Sequence, residues 1–535
     1  MISGRQDETQ SPLRQPTDKE RKYDRQLRLW AASGQSALES AHVLLVNSST
    51  GTVGTETLKN LVLPGIGKFT IVDDAVVGDA DLGVNFFLDE ACLGLPRARC
   101  CRDNLVELNP AVRGDWFPKI VDSDLGIERL LDSSDPFTII LYTLPLRPTY
   151  IKCLESHAKK HGIPLLAVHS VGYYAYFTVK LPGLFPVIDT HPDETAVVDL
   201  RLLDPWSELA EFADQMTKDI DDQDDFDHGH LPLVVILLHY LKKWREAHGG
   251  GLPLTYSDKV SFRDFVARGA RTKNPEGGEE NFDEAVAAVM KHVSRPSLPT
   301  SLERLFEREG QIKGDTEETF WTIIKAVKHF YHKHRQLPLP GSLPDMKAQS
   351  KVYVHLQSLY KDKAKRDIAE ILDIVRAIPG GAKVKRDEVE LFCKNASFVK
   401  VIENPENAPI TNQVVAQELL NVQDAATAGF QSPHSLAPIY LALNALRLSP
   451  EAGREEIIDL VTTSVPCISG NQRLAQVAEE LSRSGSGELH NVSAVVGGLL
   501  AQEMIKIITK QYAPVDNTCI FDGIESRCQV LRLKL

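Results

Sequence analysis

The sequence predicts an α/β fold in which a mostly parallel sheet is interrupted by a large α-helical insertion. Between residues 43 and 180, short β-rich segments alternate with helical segments, which is the pattern of βαβ units. From about residue 195 to 395, apolar residues recur at helical spacing instead. From Glu390 the pattern is mixed again and ends with a Gly-Gly helix and two short strands. We therefore expect both ends of the chain to build one sheet.

The elements of the sheet domain can be placed in chain order. A helix is predicted over 55–63, where Pro64 and Gly65 end it. A second helix, over 490–506, contains Gly497 and Gly498, which cost roughly 1 kcal/mol each relative to alanine, so we expect another element to approach it closely. The predicted strands are 43–46, 68–72, 137–142, 165–169, 519–521 and 529–531.

The same patterns divide the chain. We expect a disordered tail over 1–20, where polar and charged residues predominate, and a sheet domain made of 21–181 and 395–535. The α-helical insertion is expected over 182–394, and its acidic run 219–227 is expected to be a solvated loop.

The composition excludes several classes of protein. With 535 residues, 43% hydrophobic, the chain can bury more than one core. Its net charge of −13 argues against a nucleic-acid partner, and no apolar run is long enough for a membrane anchor. The eight cysteines form no C-x-x-C pair. We expect mostly buried, reduced thiols and a cytoplasmic and nuclear location.

The first strand leads into a glycine turn that has lost a glycine. Ser49 stands at the first glycine of a G-x-G-x-x-G loop, and Gly51 and Gly54 follow. Asp73 ends the next strand, where a Rossmann-like fold holds the ribose hydroxyls, although aspartate is also a common turn residue. A dinucleotide-dependent oxidoreductase would share this spacing. The incomplete turn and the lack of an acid–base group for nicotinamide chemistry disfavour that alternative.

An ordered set of motifs extends this comparison to both ends of the chain. They are 22–30 (KYDRQLRLW), the glycine turn, 55–61 (TETLKNL), Asp73, 94–98 (GLPRA), 108–110 (LNP) and 490–506 with its two glycines. The set resembles the ubiquitin-like-protein activating enzymes. With the insertion and the segments 341–346 and 501–511, it is most similar to the regulatory subunits of the heterodimeric enzymes that activate the neddylation modifier. Regulatory subunits for the small ubiquitin-like modifier are an alternative, but they lack so long an insertion.

The resemblance implies an adenylation domain whose nucleotide site has degenerated. Active members carry a complete glycine turn, an arginine in an Asn-Leu-Asn-Arg-Gln-Phe run and a Lys-Ala pair. Here Val84 stands at the arginine and Asp81 adds a negative charge, so a bidentate phosphate contact is lost and repulsion is gained. Arg97 replaces the lysine and keeps its charge. We expect little or no ATP binding and no cofactor in this chain.

The catalytic thiol of the family is also missing. No cysteine stands in the family's Cys-Thr context with a downstream proline, so the insertion resembles a catalytic-cysteine domain without its cysteine. Cys393 and Cys467 are the nearest candidates, and both are expected to be buried structural residues because no base is near them in sequence. The zinc ligands of the family are absent as well. No activity is expected from the chain alone.

The resemblance also implies a set of partners for this chain. It implies a catalytic subunit that holds ATP, Mg and Zn and takes up the ubiquitin-like modifier as a thioester, and indirectly a conjugating enzyme. The arginine of the Arg-Gln-Leu motif, Arg25 here, would reach the nucleotide phosphates of that subunit. An interfacial or surface salt bridge is the alternative for Arg25. The resemblance also marks one segment as partner-binding: Leu343, Pro344, Asp345 and Met346.

Overall fold

The computed structural model describes residues 15–119, 126–132, 135–192, 197–272, 278–295, 297–308, 318–403, 411–427 and 433–534. The chain forms two compact units. Unit 1 comprises Met1–Val187 and Ile402–Leu535, and unit 2 comprises Ile188–Val401. These boundaries lie a few residues beyond those expected at 181 and 394, because the chain continues as a strand at both crossings.

The strands are β1 (His42–Val46), β2 (Lys68–Val72), β3 (Arg113–Phe117), β4 (Ile139–Thr143), β5 (Leu165–Val171), β6 (Tyr174–Lys180), β7 (Leu184–Ile188), β8 (Val399–Glu403), β9 (Thr518–Asp522) and β10 (Arg527–Leu531). The helices before the insertion are α1 (Asp18–Lys22), α2 (Asp24–Ser40), α3 (Thr52–Val62), α4 (Asp79–Leu82), α5 (Arg97–Leu108), α6 (Ile127–Leu131) and α7 (Pro148–His161). Those of unit 2 are α8 (Ser207–Met216), α9 (Asp225–His228), α10 (Leu233–Ala247), α11 (Tyr256–Ala267), α12 (Glu280–His292), α13 (Thr300–Glu307), α14 (Glu318–His334), α15 (Ser350–Ala377) and α16 (Arg386–Lys394). Unit 1 resumes with α17 (Thr411–Thr427), α18 (Ala437–Leu448), α19 (Arg454–Ser464), α20 (Gln472–Ser484) and α21 (His490–Thr509).

Unit 1 is built on one eight-stranded sheet of order β10-β9-β6-β5-β4-β1-β2-β3. The pairs from β5 to β3 are parallel, and β6, β9 and β10 are added antiparallel. Strands β1, β4 and β5 are buried along their whole length, as expected for a sheet covered on both faces. The predicted fold class, including the return of the chain to the same sheet, is confirmed. The polar edge strand β3 was missed because its sequence, RGDWF, lacks a β pattern.

Helix α21 lies against α3 on one face of the sheet, and a glycine makes this possible. A Cβ on Gly497 would come within 2.9 Å of the Glu56 Cβ and the Thr57 nitrogen, whereas one on Gly498 would meet nothing within 4 Å. The expected close approach is therefore confirmed for Gly497 alone. Among the described residues, α21 is the one helix long and apolar enough to cross a bilayer, but 56% of its apolar segment is buried, and its packing on α3 is that of a core helix.

Unit 2 is helical and has its own apolar cores. The acidic side chains of the run 219–227 are exposed, as expected, but the run is not an irregular loop, because it contains a short 3-10 helix (Ile220–Asp222) and α9. The side chain of Asp224 caps α9, and the Arg271 guanidinium pairs with Asp225 at 2.8 Å while donating to backbone carbonyls of the same run. One basic side chain therefore organises the run from within the unit.

The expected tail is partly helical. Helix α1 begins at Asp18, inside the expected tail, and ends at Lys22. Thr17 and Glu20 stabilise its start with a capping box. Residues 1–14 of the tail lie outside the described residues.

Candidate functional site

The glycine turn between β1 and α3 keeps its shape without the first glycine. Ser49 adopts a φ of 54°, in the left-handed region that favours glycine and costs a residue with a Cβ roughly 1–2 kcal/mol. Gly51, with a φ of 61°, starts α3, and a Cβ there would lie 2.1 Å from the Asn47 side-chain nitrogen. Loss of the glycine therefore did not open the turn.

Side chains of the chain itself fill this turn. The Asn47 amide donates to the Gly51 carbonyl at 3.1 Å and approaches the Asp73 carboxylate at 3.4 Å. The Ser48 backbone N–H donates to the Thr143 hydroxyl at 2.7 Å. The Ser48 hydroxyl lies within hydrogen-bond distance of the backbone carbonyls of Thr143, at the end of β4, and of Pro145. The Asn47 and Ser48 side chains are thus already bonded internally, whereas the buried Thr52 hydroxyl at the start of α3 has no hydrogen-bond partner among the described residues.

A buried carboxyl group occupies the N-terminus of α3. Glu488 accepts hydrogen bonds from the Val53 N–H at 2.8 Å, the Thr50 hydroxyl at 2.8 Å and the Ser493 hydroxyl at 2.6 Å. Burial raises the pKa of this carboxyl above its ordinary value, against the effect of the hydrogen bonds it accepts. A helix N-terminus is the position where Rossmann-like folds bind phosphate. Here an internal acidic side chain has taken that position.

Sequence reasoning did not find Glu488. It lies 435 residues from Val53 along the chain, and nothing in its own surroundings marks it. The one available signal was its place immediately before the Gly-Gly helix, whose close packing on α3 brings it to the turn.

The remaining charged groups of the predicted site bind each other. Arg97 binds Asp73 with two hydrogen bonds, at 2.8 and 3.1 Å, and Asp81 with one at 2.9 Å. All three side chains are buried, and Arg97 is 4% exposed. Burial lowers the pKa of Arg97, but the two carboxylates outweigh it and raise that pKa above its ordinary value. The Asp73 carboxylate is therefore bonded to Arg97, whereas binding of ribose hydroxyls would need it unbonded. The charge of Arg97 is already compensated by the two carboxylates, so it is not available to a phosphate.

The segment that carries Val84 is attached to the start of α21. The half-buried Val84 has its backbone carbonyl 3.1 Å from Nδ1 of His490, and Phe86 stacks on the same imidazole with ring centres 3.6 Å apart. An apolar side chain at Val84 leaves this segment without a phosphate-binding cation.

A cavity of about 220 Å³ remains beside the turn, lined among others by Val46, Ser49, Asp73, Ile127 and Tyr150. Ligand pockets usually measure about 300–1,000 Å³. The cavity is therefore small for a nucleotide.

The two cysteine candidates differ in their surroundings. Cys393 lies in one of the two apolar cores of unit 2, and burial there raises the pKa of its thiol. Cys467 is exposed, which corrects the expectation for this residue: it lies in a short turn, Pro466–Ile468, in which Ile468 takes the buried position. Four of the eight cysteines are buried, so the expectation of mostly buried thiols was also wrong. Within the described ranges no group of three metal-ligating side chains could hold a metal ion.

Arg25 precedes the glycine turn in the chain and lies on the surface of unit 1. It is exposed on α2, and its guanidinium has neither a hydrogen-bond nor an ion-pair partner among the residues that the structure describes. Arg28, one turn later, pairs with Asp24 at 3.0 Å. Among the described residues, the helix-surface salt bridge is thus formed by Arg28 and not by Arg25, and an interfacial salt bridge stays the alternative for Arg25.

The predicted partner-binding segment in unit 2 faces largely inward. Leu343 and Met346 pack against the apolar core of the unit, and Pro344 is half-buried. Of the four residues, Asp345 alone is exposed.

Comparison with known proteins places these features in a family. The sequence profile of the ThiF family matches residues 23–535. The NEDD8-activating enzyme E1 regulatory subunit of Xenopus laevis is 35% identical over 539 residues, 95% of this chain and 97% of the relative. Its counterpart in Danio rerio is 34% identical over 97% of this chain and 99% of the relative, and the subunit AXL of Arabidopsis thaliana is 31% identical over 96% and 99%. The chain therefore belongs to the ThiF family and, within it, to the NEDD8-activating enzyme E1 regulatory subunits.

Proposed function

We propose that this chain acts as the silent half of a heterodimer whose catalytic subunit adenylates the C-terminus of the modifier. That subunit would hold ATP, Mg and Zn, take up the modifier as a thioester and pass it to a conjugating enzyme. One observation carries the proposal: in the fold that should bind the nucleotide, Glu488 occupies the N-terminus of α3. The same observation removes the support for an oxidoreductase, since a dinucleotide pyrophosphate would need that position.

Electrostatics oppose a nucleotide in this chain. Arg97 is shared by Asp73 and Asp81, so the cluster carries one guanidinium against two carboxylates. A further negative charge at about 4 Å from this net charge of −1 is disfavoured by about 4 kcal/mol at an effective dielectric constant of about 20. A triphosphate would bring several such charges. We infer that ATP binds in the catalytic subunit only.

Arg25 is the group that this chain would contribute to the chemistry. Its exposure, and the absence of a bonding partner among the described residues, support a role across the subunit interface, where a guanidinium would stabilise the charge that develops on the phosphates during adenylation. Asp345 would take part in partner binding through unit 2, and the assembly would work in the cytoplasm and the nucleus.

The test measures nucleotide use by the chain alone and by the complex. Titration calorimetry with ATP and Mg should detect no binding to the isolated chain, and pyrophosphate exchange should require the catalytic subunit. The catalytic subunit alone is the matched control. The proposal is wrong if the isolated chain, given the modifier, exchanges labelled pyrophosphate into ATP.

A further inference from the structure

Helix α2, which carries Arg25, is broken in its middle. Trp30 and Ala31 have non-helical angles, and Ala31 adopts φ 56° and ψ −178°, a region that residues with a Cβ rarely enter. Arg25 therefore lies in a first segment of about two turns. So short a helix has little stability of its own, and its direction depends on tertiary contacts.

The break leaves backbone carbonyls that need donors. The last carbonyls of a helical segment have no intrahelical partner, and a buried one is costly unless it is bonded. The side-chain amide of Gln511 donates to the Trp30 carbonyl at 3.0 Å, and the Tyr512 hydroxyl donates to the Leu29 carbonyl at 3.3 Å. Two residues just after α21 thus bond to the end of the segment that carries Arg25.

Gln511 also spans the break. Its amide nitrogen lies 3.4 Å from the Ser33 hydroxyl, which belongs to the second segment of α2, and the Gln511 side chain is buried. The Trp30 indole is held from the other side by Gln35 at 3.1 Å. The Gln511 side chain therefore contacts both segments of α2.

We propose that Gln511 is a positioning residue for Arg25. By bonding to both sides of the break it fixes the direction in which the first segment of α2 presents the Arg25 guanidinium to the catalytic subunit. This inference rests on the proposed role of Arg25 and adds the residue that orients its helix segment. Gln511 touches neither nucleotide nor modifier in this scheme, so its effect passes entirely through Arg25.

The test uses Gln511→Met, which keeps the length of the side chain and removes the donor. Single-turnover adenylation by the complete heterodimer should fall about tenfold, as expected for the loss of the hydrogen bonds from Gln511 to both sides of the break. The same substitution in an Arg25→Ala background should change the rate by less than about twofold, because the aimed group is gone. Size-exclusion chromatography of each complex verifies assembly.

The outcomes separate the possible failures. An equal loss in both backgrounds, or no loss in either, overturns the positioning role. If Arg25→Ala alone leaves adenylation unchanged, the proposed role of Arg25 falls, and this is seen in a variant with Gln511 intact. Should Gln511→Met prevent assembly, Tyr512→Phe removes the donor to the Leu29 carbonyl and is measured in the same two backgrounds. A loss that disappears in the Arg25→Ala background then supports the inference, and any other pattern overturns it.

Discussion

Replacing Glu488 should destabilise the chain far more than an ordinary glutamate would. Its carboxyl accepts three hydrogen bonds, one of them from the N–H of Val53 at the start of α3. At about 1 kcal/mol for each bond, Glu488→Ala should lower the free energy of unfolding by about 3 kcal/mol. Glu488→Gln keeps one acceptor oxygen and should cost about 1 kcal/mol.

Urea unfolding of the isolated chain measures these values from the shift of the midpoint at constant slope. Glu479→Ala is the matched control, because its side chain is 73% exposed and pairs only at the surface, so a change within about 0.5 kcal/mol is expected. A Glu488→Ala variant as stable as this control would refute the idea that Glu488 holds the N-terminus of α3.

The pH dependence gives an independent check on Glu488. Because its pKa is raised in the folded chain, the folded state binds more protons than the unfolded state between the ordinary value of 4.5 and the raised value. The free energy of unfolding must then fall as pH increases through that window. Glu488→Gln has no such titration, so its stability relative to the parent chain should improve as pH rises above 4.5. A gap that does not change with pH would contradict the buried carboxyl.

Two further substitutions have matched controls within the same helices. Arg25→Ala should leave folding and heterodimer formation intact, yet lower the rate of single-turnover adenylation on the order of 100-fold. Arg25→Lys should recover only part of that rate, and Arg28→Ala should stay near the parent rate. An unchanged rate for Arg25→Ala would assign this residue to surface charge. Gly497→Ala should reduce the thermal midpoint of unfolding, because its Cβ would lie 2.9 Å from that of Glu56. Gly498→Ala places its Cβ in open space and should raise the free energy of unfolding by up to about 1 kcal/mol through helix propensity. Equal shifts in the two variants would show that α21 does not approach α3 closely.

Much of the fold could be predicted because it is encoded locally. The apolar runs that became β1, β2, β4 and β5, and the helical spacing of the middle third, are properties of neighbouring residues. The same holds for the lost glycine at Ser49 and the lost cation at Val84, since a residue type alone excludes a contact. The strand β3 was missed because its place at the sheet edge comes from pairing with β2 and not from its composition.

The sequence by itself therefore determined the fold class and the family, and it predicts the loss of the nucleotide ligands. Only the tertiary structure decided what replaced them. Glu488 reaches α3 from 435 residues away, and Arg97 is neutralised by two carboxylates that precede it by 24 and 16 residues. Cys467 is exposed although its sequence suggested burial. Such pairings depend on how close the folded backbone brings distant side chains, and periodicity and composition carry no information about that distance.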